Sequence, residues 1–149
     1  MATKKFDLAD FEAFLALLPQ DADGIALRHA VEVWHDSFTC AEFIALCRKY
    51  KVAIIAGCDS ELPCIADVSA DFVYVRAMGM VEKEKLGYSK ATIAACAARA
   101  KAWEAGGAPI DLPLLAKPAA KKKRDAFLFV ISGFKARNPA AAQAIIAAL

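Results

Sequence analysis

The chain has 149 residues, enough for one domain with a hydrophobic core, and its 19 basic and 17 acidic residues leave a net charge of +2. That balance is too even to imply a nucleic-acid or membrane partner by itself. Hydrophobic residues make up 58% and the mean hydropathy is +0.36, yet no apolar run approaches the roughly 20 residues of a membrane span.

Residues 7–18 carry Phe11, Phe14, Leu15 and Leu18 on one helical face. Asp7 is placed to cap this helix, and Phe6 with Phe11 to staple its start. Asp7, Asp10 and Glu12 also interrupt any signal-peptide core, so a cytoplasmic address is expected. Pro19 and Asp23-Gly24 end the helix.

Leu27 to Trp34 reads as a buried strand. Alternation puts His29, Val31, Val33 and His35 on one face and Arg28, Ala30, Glu32 and Trp34 on the other. A carboxylate between two valines is expensive unless paired. Glu32 therefore pairs with a cation such as Arg28 or Arg76, or faces a polar pocket.

Thr39-Cys40-Ala41-Glu42 has the form of a capping box for a helix reaching Tyr50, with Phe43, Leu46, Cys47 and Tyr50 on its buried side. Val52 to Ala56 is a short β-branched run of the kind buried on both faces. It ends in the polar turn Gly57-Cys58-Asp59-Ser60, and Leu62 to Val68 reads as irregular. A third strand, Asp71 to Arg76, puts Phe72, Tyr74 and Arg76 on one face and Val73 and Val75 on the other. Ser89 caps a helix over about 90–105, closed by Gly106-Gly107. A loop over 106–124 ends in Lys121-Lys122-Lys123-Arg124. Ala126 to Ile131 is the fourth strand. Asn138 is expected to cap a last helix, 139–148, started by Pro139.

Helices alternate with strands throughout, which predicts an α/β fold: four βα units in a parallel sheet, preceded by one helix. This pattern suits an open doubly wound sheet or half of a TIM-type barrel. A complete barrel takes about 250 residues. No GxGxxG or P-loop is present, and the sequence points to no cofactor and no metal. The five cysteines, Cys40, Cys47, Cys58, Cys64 and Cys96, are odd in number and contain no CxxC pair. Neither a disulfide framework nor a structural zinc site is expected, and Cys40 and Cys47 read as small core residues.

The segments RHAVEVWHDSF, VAIIAG, ADVSADFVYVRAMG, GYS and FLFVISGFKARNPAAA, in that order, resemble the C-terminal half of the YecE-like family. That is a domain-of-unknown-function family with a TIM-barrel fold. The resemblance spans almost the whole chain. It implies that the strands at 27–34, 52–57, 72–77 and 126–132 match the last four strands of the family barrel, and that its first four are missing. The chain would then be a half-barrel, from a truncated or split gene. Trp34 departs from the family, which has arginine there in an E-[VF]-R-H pattern. Met78 stands where many members have histidine. The family's activity is not established, so no catalytic role carries over.

In TIM-type folds the active face lies at the C-terminal ends of the strands. The polar residues nearest those ends are Glu32, His35, Asp59, Arg76, Ser132 and Lys135. By the resemblance, Glu32 and Arg76 point toward the barrel axis. They suit a substrate carboxylate or phosphate, or acid–base work, against the plainer reading of a structural ion pair. His35 is a candidate base, against a loop-anchoring role. His29 reads as a satisfied core or helix-facing histidine. Asp59 and Ser60 are site candidates or simple turn chemistry. Trp34 is expected to fill space left by the family arginine and so to block an anion site.

Ser132, Gly133, Lys135 and Asn138 form the best anion-site candidate, ahead of a helix N-terminus, against the reading of a capped connector. The run at 121–124 reads as a solvated loop, so a nucleic-acid partner is not expected. Two functions remain open: a half-barrel subunit without independent catalysis, or a small enzyme or anion-binding module for phosphate or a phosphosugar. For the first, an open sheet with unpaired edges predicts a homodimer, perhaps an eight-stranded pseudo-barrel, or reliance on the missing N-terminal half.

Overall fold

The computed structural model describes residues 4–131 and 134–149. Its elements in chain order are α1 (Leu8–Ala16), β1 (Asp21–Ala22), β2 (Ile25–Ala26), β3 (Ala30–Val31), α2 (Ala41–Tyr50), β4 (Ala53–Ala56), β5 (Phe72–Ala77), α3 (Lys90–Glu104), β6 (Asp125–Val130) and α4 (Asn138–Ala147). Two 3-10 turns, Asp36–Phe38 and Lys135–Arg137, precede α2 and α4.

β3, β4, β5 and β6 lie side by side in that order, and every neighbouring pair is parallel. Four parallel strands in sequence order, with α2 between β3 and β4, α3 between β5 and β6 and an irregular segment between β4 and β5, form a mixed α/β layout consistent with half of an α/β barrel.

The helices pack on one face of the sheet. Val33 and Ile54 meet Phe38, Phe43, Ile44 and Cys47 from the α2 side. Ala77, Leu128 and Val130 meet Ile93, Cys96, Ala141 and Ile145 from α3 and α4. Ala56 and Val73 pack with Trp103, which is fully buried. The other face carries no helix among the described residues. There β6 leaves Phe127 and Phe129 37% and 42% exposed, with Ile131 beyond it at 38%.

Local sequence accounts for several ends. The Asp7 carboxylate accepts from the Asp10 N–H at 2.9 Å, and the Phe6 and Phe11 rings meet at 6.1 Å. The Ser89 hydroxyl accepts from the Thr92 N–H at 3.1 Å. α3 stops at Gly106, where φ is +87° and a Cβ would fall 2.3 Å from the Lys122 carbonyl oxygen. Only glycine fits that close return of the 106–124 loop.

Several expectations are corrected. The strand expected over 27–34 is a ladder only at Ala30–Val31: the Leu27 N–H bonds the Gln20 carbonyl at 2.9 Å instead, and Trp34 is half-exposed. Asp23-Gly24 makes the turn of an antiparallel β1–β2 hairpin, with Asp23 and Gly24 both at positive φ. Thr39 does not cap α2. It closes the preceding 3-10 turn, so Cys40 becomes the N-cap residue and offers no side-chain bond. Asn138 is the first residue of α4 rather than its cap, because the turn at Lys135–Arg137 runs straight into the helix. Cys58 and Cys64 are joined by a disulfide. The local turn after β4 brings them together, which cysteine counting does not reveal.

Two buried polar residues hold the irregular segment between β4 and β5. The Ser69 hydroxyl accepts from the Ile54 N–H at 3.0 Å and donates to the Val52 carbonyl at 2.7 Å. The Asp67 carboxylate accepts from the Leu115 and Ala116 N–H groups at 2.8 and 3.1 Å. Ser69→Ala strands a buried donor and a buried acceptor of the backbone. It is expected to cost about 2 kcal/mol in urea unfolding, and a loss below about 0.5 kcal/mol would refute this role.

Burial pushes the Cys47 thiol up to about 12. It also raises Cys96 and the Tyr88 hydroxyl, both with help from the Asp59 charge. Each group is neutral when protonated, and its folded value lies above its unfolded one. The folded chain therefore keeps protons that the unfolded chain sheds. Stability is intact below about pH 9 and falls as pH rises beyond it. Between roughly pH 9.5 and 11 the alkaline slope of the wild type should exceed that of Cys47→Ala by about 1 kcal/mol per pH unit. Equal slopes in pH-dependent urea melts would contradict this.

Candidate functional site

The alternation of β3 and β5 decides which polar groups meet. In parallel register, Ala30 lies beside Ala53 and Ile55 beside Tyr74. Glu32, Trp34, Tyr74 and Arg76 therefore share the face without helices. Arg76 Nη1 donates to both Glu32 carboxylate oxygens at 2.5 Å. The Trp34 indole N–H donates to Glu32 Oε2 at 3.1 Å. The Tyr74 ring stacks on Phe129 at 4.8 Å with a 20° interplanar angle. The Arg76 and Glu32 side chains are 26% and 17% exposed, so the pair is partly desolvated.

This geometry answers the choice posed by Glu32: it pairs with Arg76. Arg28, the other candidate, bonds Asp125 at 2.7 Å and lies over the Phe72 and Phe127 rings. Trp34 does not plug a buried space. It stands half-exposed and supplies a donor that the Glu32 carboxylate uses. The guanidinium and the carboxylate counter each other's charge through Arg76 Nη1.

His35 stands apart from that pair in its bonding. Its Nδ1 accepts from the Ser37 N–H at 3.0 Å and lies 2.9 Å from the Ser37 hydroxyl. That hydroxyl accepts from the Phe6 N–H at 2.8 Å, tying α1's approach to the turn after β3. His29 Nε2 lies 2.6 Å from the Pro19 carbonyl, which makes the ring nitrogen a donor there.

A second cluster forms where β4 and β5 end. Asp59 Oδ1 accepts from the Met78 N–H at 3.0 Å. Its Oδ2 accepts from the Gly79 N–H at 3.0 Å and from the Tyr88 hydroxyl at 2.9 Å. One carboxylate thus ties the exits of two strands to the segment that starts α3. Ser60 makes only local bonds, donating to the Gly57 carbonyl at 2.7 Å. Tyr88 is the member that sequence reasoning missed. Its signal is a tyrosine directly before the Ser89 cap, where a hydroxyl can reach back over the strand ends. The space beside Asp59, Cys96 and Arg99 is about 20 Å³, room for a single water.

Ser132 and Gly133 of the expected anion loop lie outside the described residues. Lys135 is exposed, and Arg137 donates to the Glu82 and Glu84 carbonyls. In the basic run, Lys121 to Lys123 are exposed, whereas Arg124 donates to the Gly106, Lys122 and Ala120 carbonyls and fastens its own loop. Among the described residues no group of three His, Cys, Asp or Glu side chains could hold a metal ion. No helix among them is long and apolar enough to cross a membrane.

A family model described as "Protein of unknown function DUF72" matches residues 1–149. The chain belongs to the DUF72 family. No curated protein and no solved structure matches it. The family description names no reaction, so the chemistry of this DUF72 chain rests on its own geometry.

The pair makes a testable claim. Arg76→Met leaves a partly buried Glu32 carboxylate with only the indole donor and is expected to cost about 2 kcal/mol. Glu32→Gln with Arg76→Met should cost less than the sum of the two single changes. Strict additivity in a double-mutant urea cycle would count against the pairing.

Proposed function

We propose that this DUF72 chain is a half-barrel subunit without independent catalysis, which completes its sheet against a second four-stranded half supplied by another copy. The observation that carries this reading is the uncovered face of β5 and β6. Phe127 and Phe129 stand on a six-residue edge strand and Ile131 follows directly after it, each more than a third exposed. An apolar row on an open edge is a template for pairing. The outer edges of β3 and β6 are the two ends of one parallel sheet, and in a two-fold assembly each would face the other's counterpart.

The mutual neutralisation of Glu32 and Arg76 supports the same reading. Both Glu32 oxygens already have a donor, from Arg76 Nη1 and the Trp34 indole, which favours a structural pair over a free base.

Size-exclusion chromatography with light scattering tests the proposal. The expected mass is about twice the 15.9 kDa of one chain. Phe129→Lys, which puts a charge in the middle of the row, should shift the population toward the monomer. A wild-type monomer that unfolds cooperatively would overturn the proposal. A phosphate-dependent rise in melting temperature that Arg76→Ala abolishes would favour the anion-binding module instead.

A further inference from the structure

The disulfide between Cys58 and Cys64 closes a short loop directly after β4, six residues apart in sequence. Asp59 lies inside that loop. Its carboxylate holds the Met78 and Gly79 N–H groups and the Tyr88 hydroxyl. The contact is close as well as polar: a Cβ on Gly79 would fall 2.1 Å from the Asp59 carbonyl oxygen. The loop therefore grips the exit of β5 by backbone proximity and by three hydrogen bonds. Its internal bonds are only local, from the Ser60 hydroxyl to the Gly57 carbonyl and from the Leu62 N–H to Ser60 Oγ.

The remaining thiols are placed differently. Cys47 and Cys96 are buried, and burial raises both. Cys40, at the start of α2, is partly exposed but has no second cysteine beside it in sequence to close a short loop. Cys58 and Cys64 are both partly exposed, which gives a small reagent access to them.

We propose that Cys58 and Cys64 are a reversible thiol–disulfide site that takes a low-molecular-weight disulfide of the glutathione class as oxidant, and that its state sets the grip of Asp59 on the exit of β5. The exchange balances without any other reagent. One cysteine thiolate attacks a sulfur of the small disulfide, forming a mixed disulfide and expelling one small thiolate. The second cysteine thiolate attacks the protein sulfur of that mixed disulfide, closing the Cys58–Cys64 bond and expelling the second. Two electrons pass from the cysteine pair to the small disulfide, and the two cysteine protons end on the two released thiols. In the reduced form the loop keeps its hydrogen bonds but loses its covalent closure. Open states of residues 58–64, in which Asp59 lets go of Met78 and Gly79, then become more populated. This site is independent of the proposed pairing through β6.

The test uses the full chain equilibrated at several ratios of oxidised to reduced glutathione. Alkylation and peptide mass spectrometry read the thiols, and amide hydrogen exchange is followed at Met78 and Gly79. The expected result is joint protection of Cys58 and Cys64 at oxidising ratios, with exchange at Met78 and Gly79 slowed about tenfold. Cys58→Ser and Cys64→Ser should each exchange at the fast rate at every ratio. If either variant fails to fold, the wild type compared at two ratios carries the test alone. Free thiols at every ratio, a persistent mixed disulfide on one cysteine, or a disulfide that leaves exchange unchanged would each overturn the proposal.

Discussion

Six consecutive rungs join β5 to β6 in parallel, from Phe72 opposite Asp125 to Ala77 opposite Val130. That register sorts every side chain of the sheet. Leu128 and Val130 go under α3 and α4 with Ala77. Phe127 and Phe129 go to the other face, where they meet Phe72 edge-on at 6.1 Å and Tyr74 in a stack at 4.8 Å. A slip of one residue would expose Leu128 and Val130 and drive two phenylalanines into helix-facing positions too small for them. The same alternation carries Arg76 to the uncovered face, and the shorter ladder through β4 brings Glu32 beside it. The ion pair is thus a product of strand register, not of a dedicated loop.

Between the strands the chain relies on short polar side chains rather than further secondary structure. Ser69 bonds the backbone of Val52 and Ile54, where the start of β4 has groups left to satisfy. Asp67 takes two N–H groups of the 106–124 loop, and Asp59 takes two at the exit of β5. All three stand in irregular backbone, where buried amides must find side-chain partners. Arg124 does the complementary work for carbonyls, collecting three of them beside the end of α3. Long loops can therefore be held firmly here without a helix or strand of their own.

The parts of this design that depend on periodicity were legible in the sequence. Phe72, Tyr74 and Arg76 alternate with Val73 and Val75, and that alone separates the two faces of β5. Glu32 between Val31 and Val33 asks for a cation by its cost, and the same face assignment supplies Arg76. The caps at Asp7 and Ser89 were equally plain, because a short polar side chain before a helix has few other uses. What could not be read depends on contacts distant in sequence. β3 pairs with β4 only at Ala30 and Val31, although β4 runs on to Ala56, so the apolar pattern at 27–34 overstates the strand. Thr39 looks like a cap until Phe38 is buried, which tightens the 3-10 turn and moves the helix start on by one residue. The Asp59–Tyr88 bond spans 29 residues, and no local spacing encodes it.

The charges on the uncovered face are paired within the chain. A carboxylate placed for chemistry keeps a lone pair turned toward substrate or water. Glu32 shares both oxygens with Arg76 Nη1 and one with Trp34, so each charge has its counter-charge beside it. Wherever an apolar surface is covered, that is the favourable arrangement, because a lone charge would be stranded as water leaves, at a cost of several kcal/mol. A paired one is already partly desolvated and changes little on burial. The stacked Tyr74 and Phe129 beside it offer flat area with little side-chain freedom left to lose. The proposed closure by a second half-sheet rests on these features: paired charges beside stacked aromatic rings, on the face that carries no helix among the described residues.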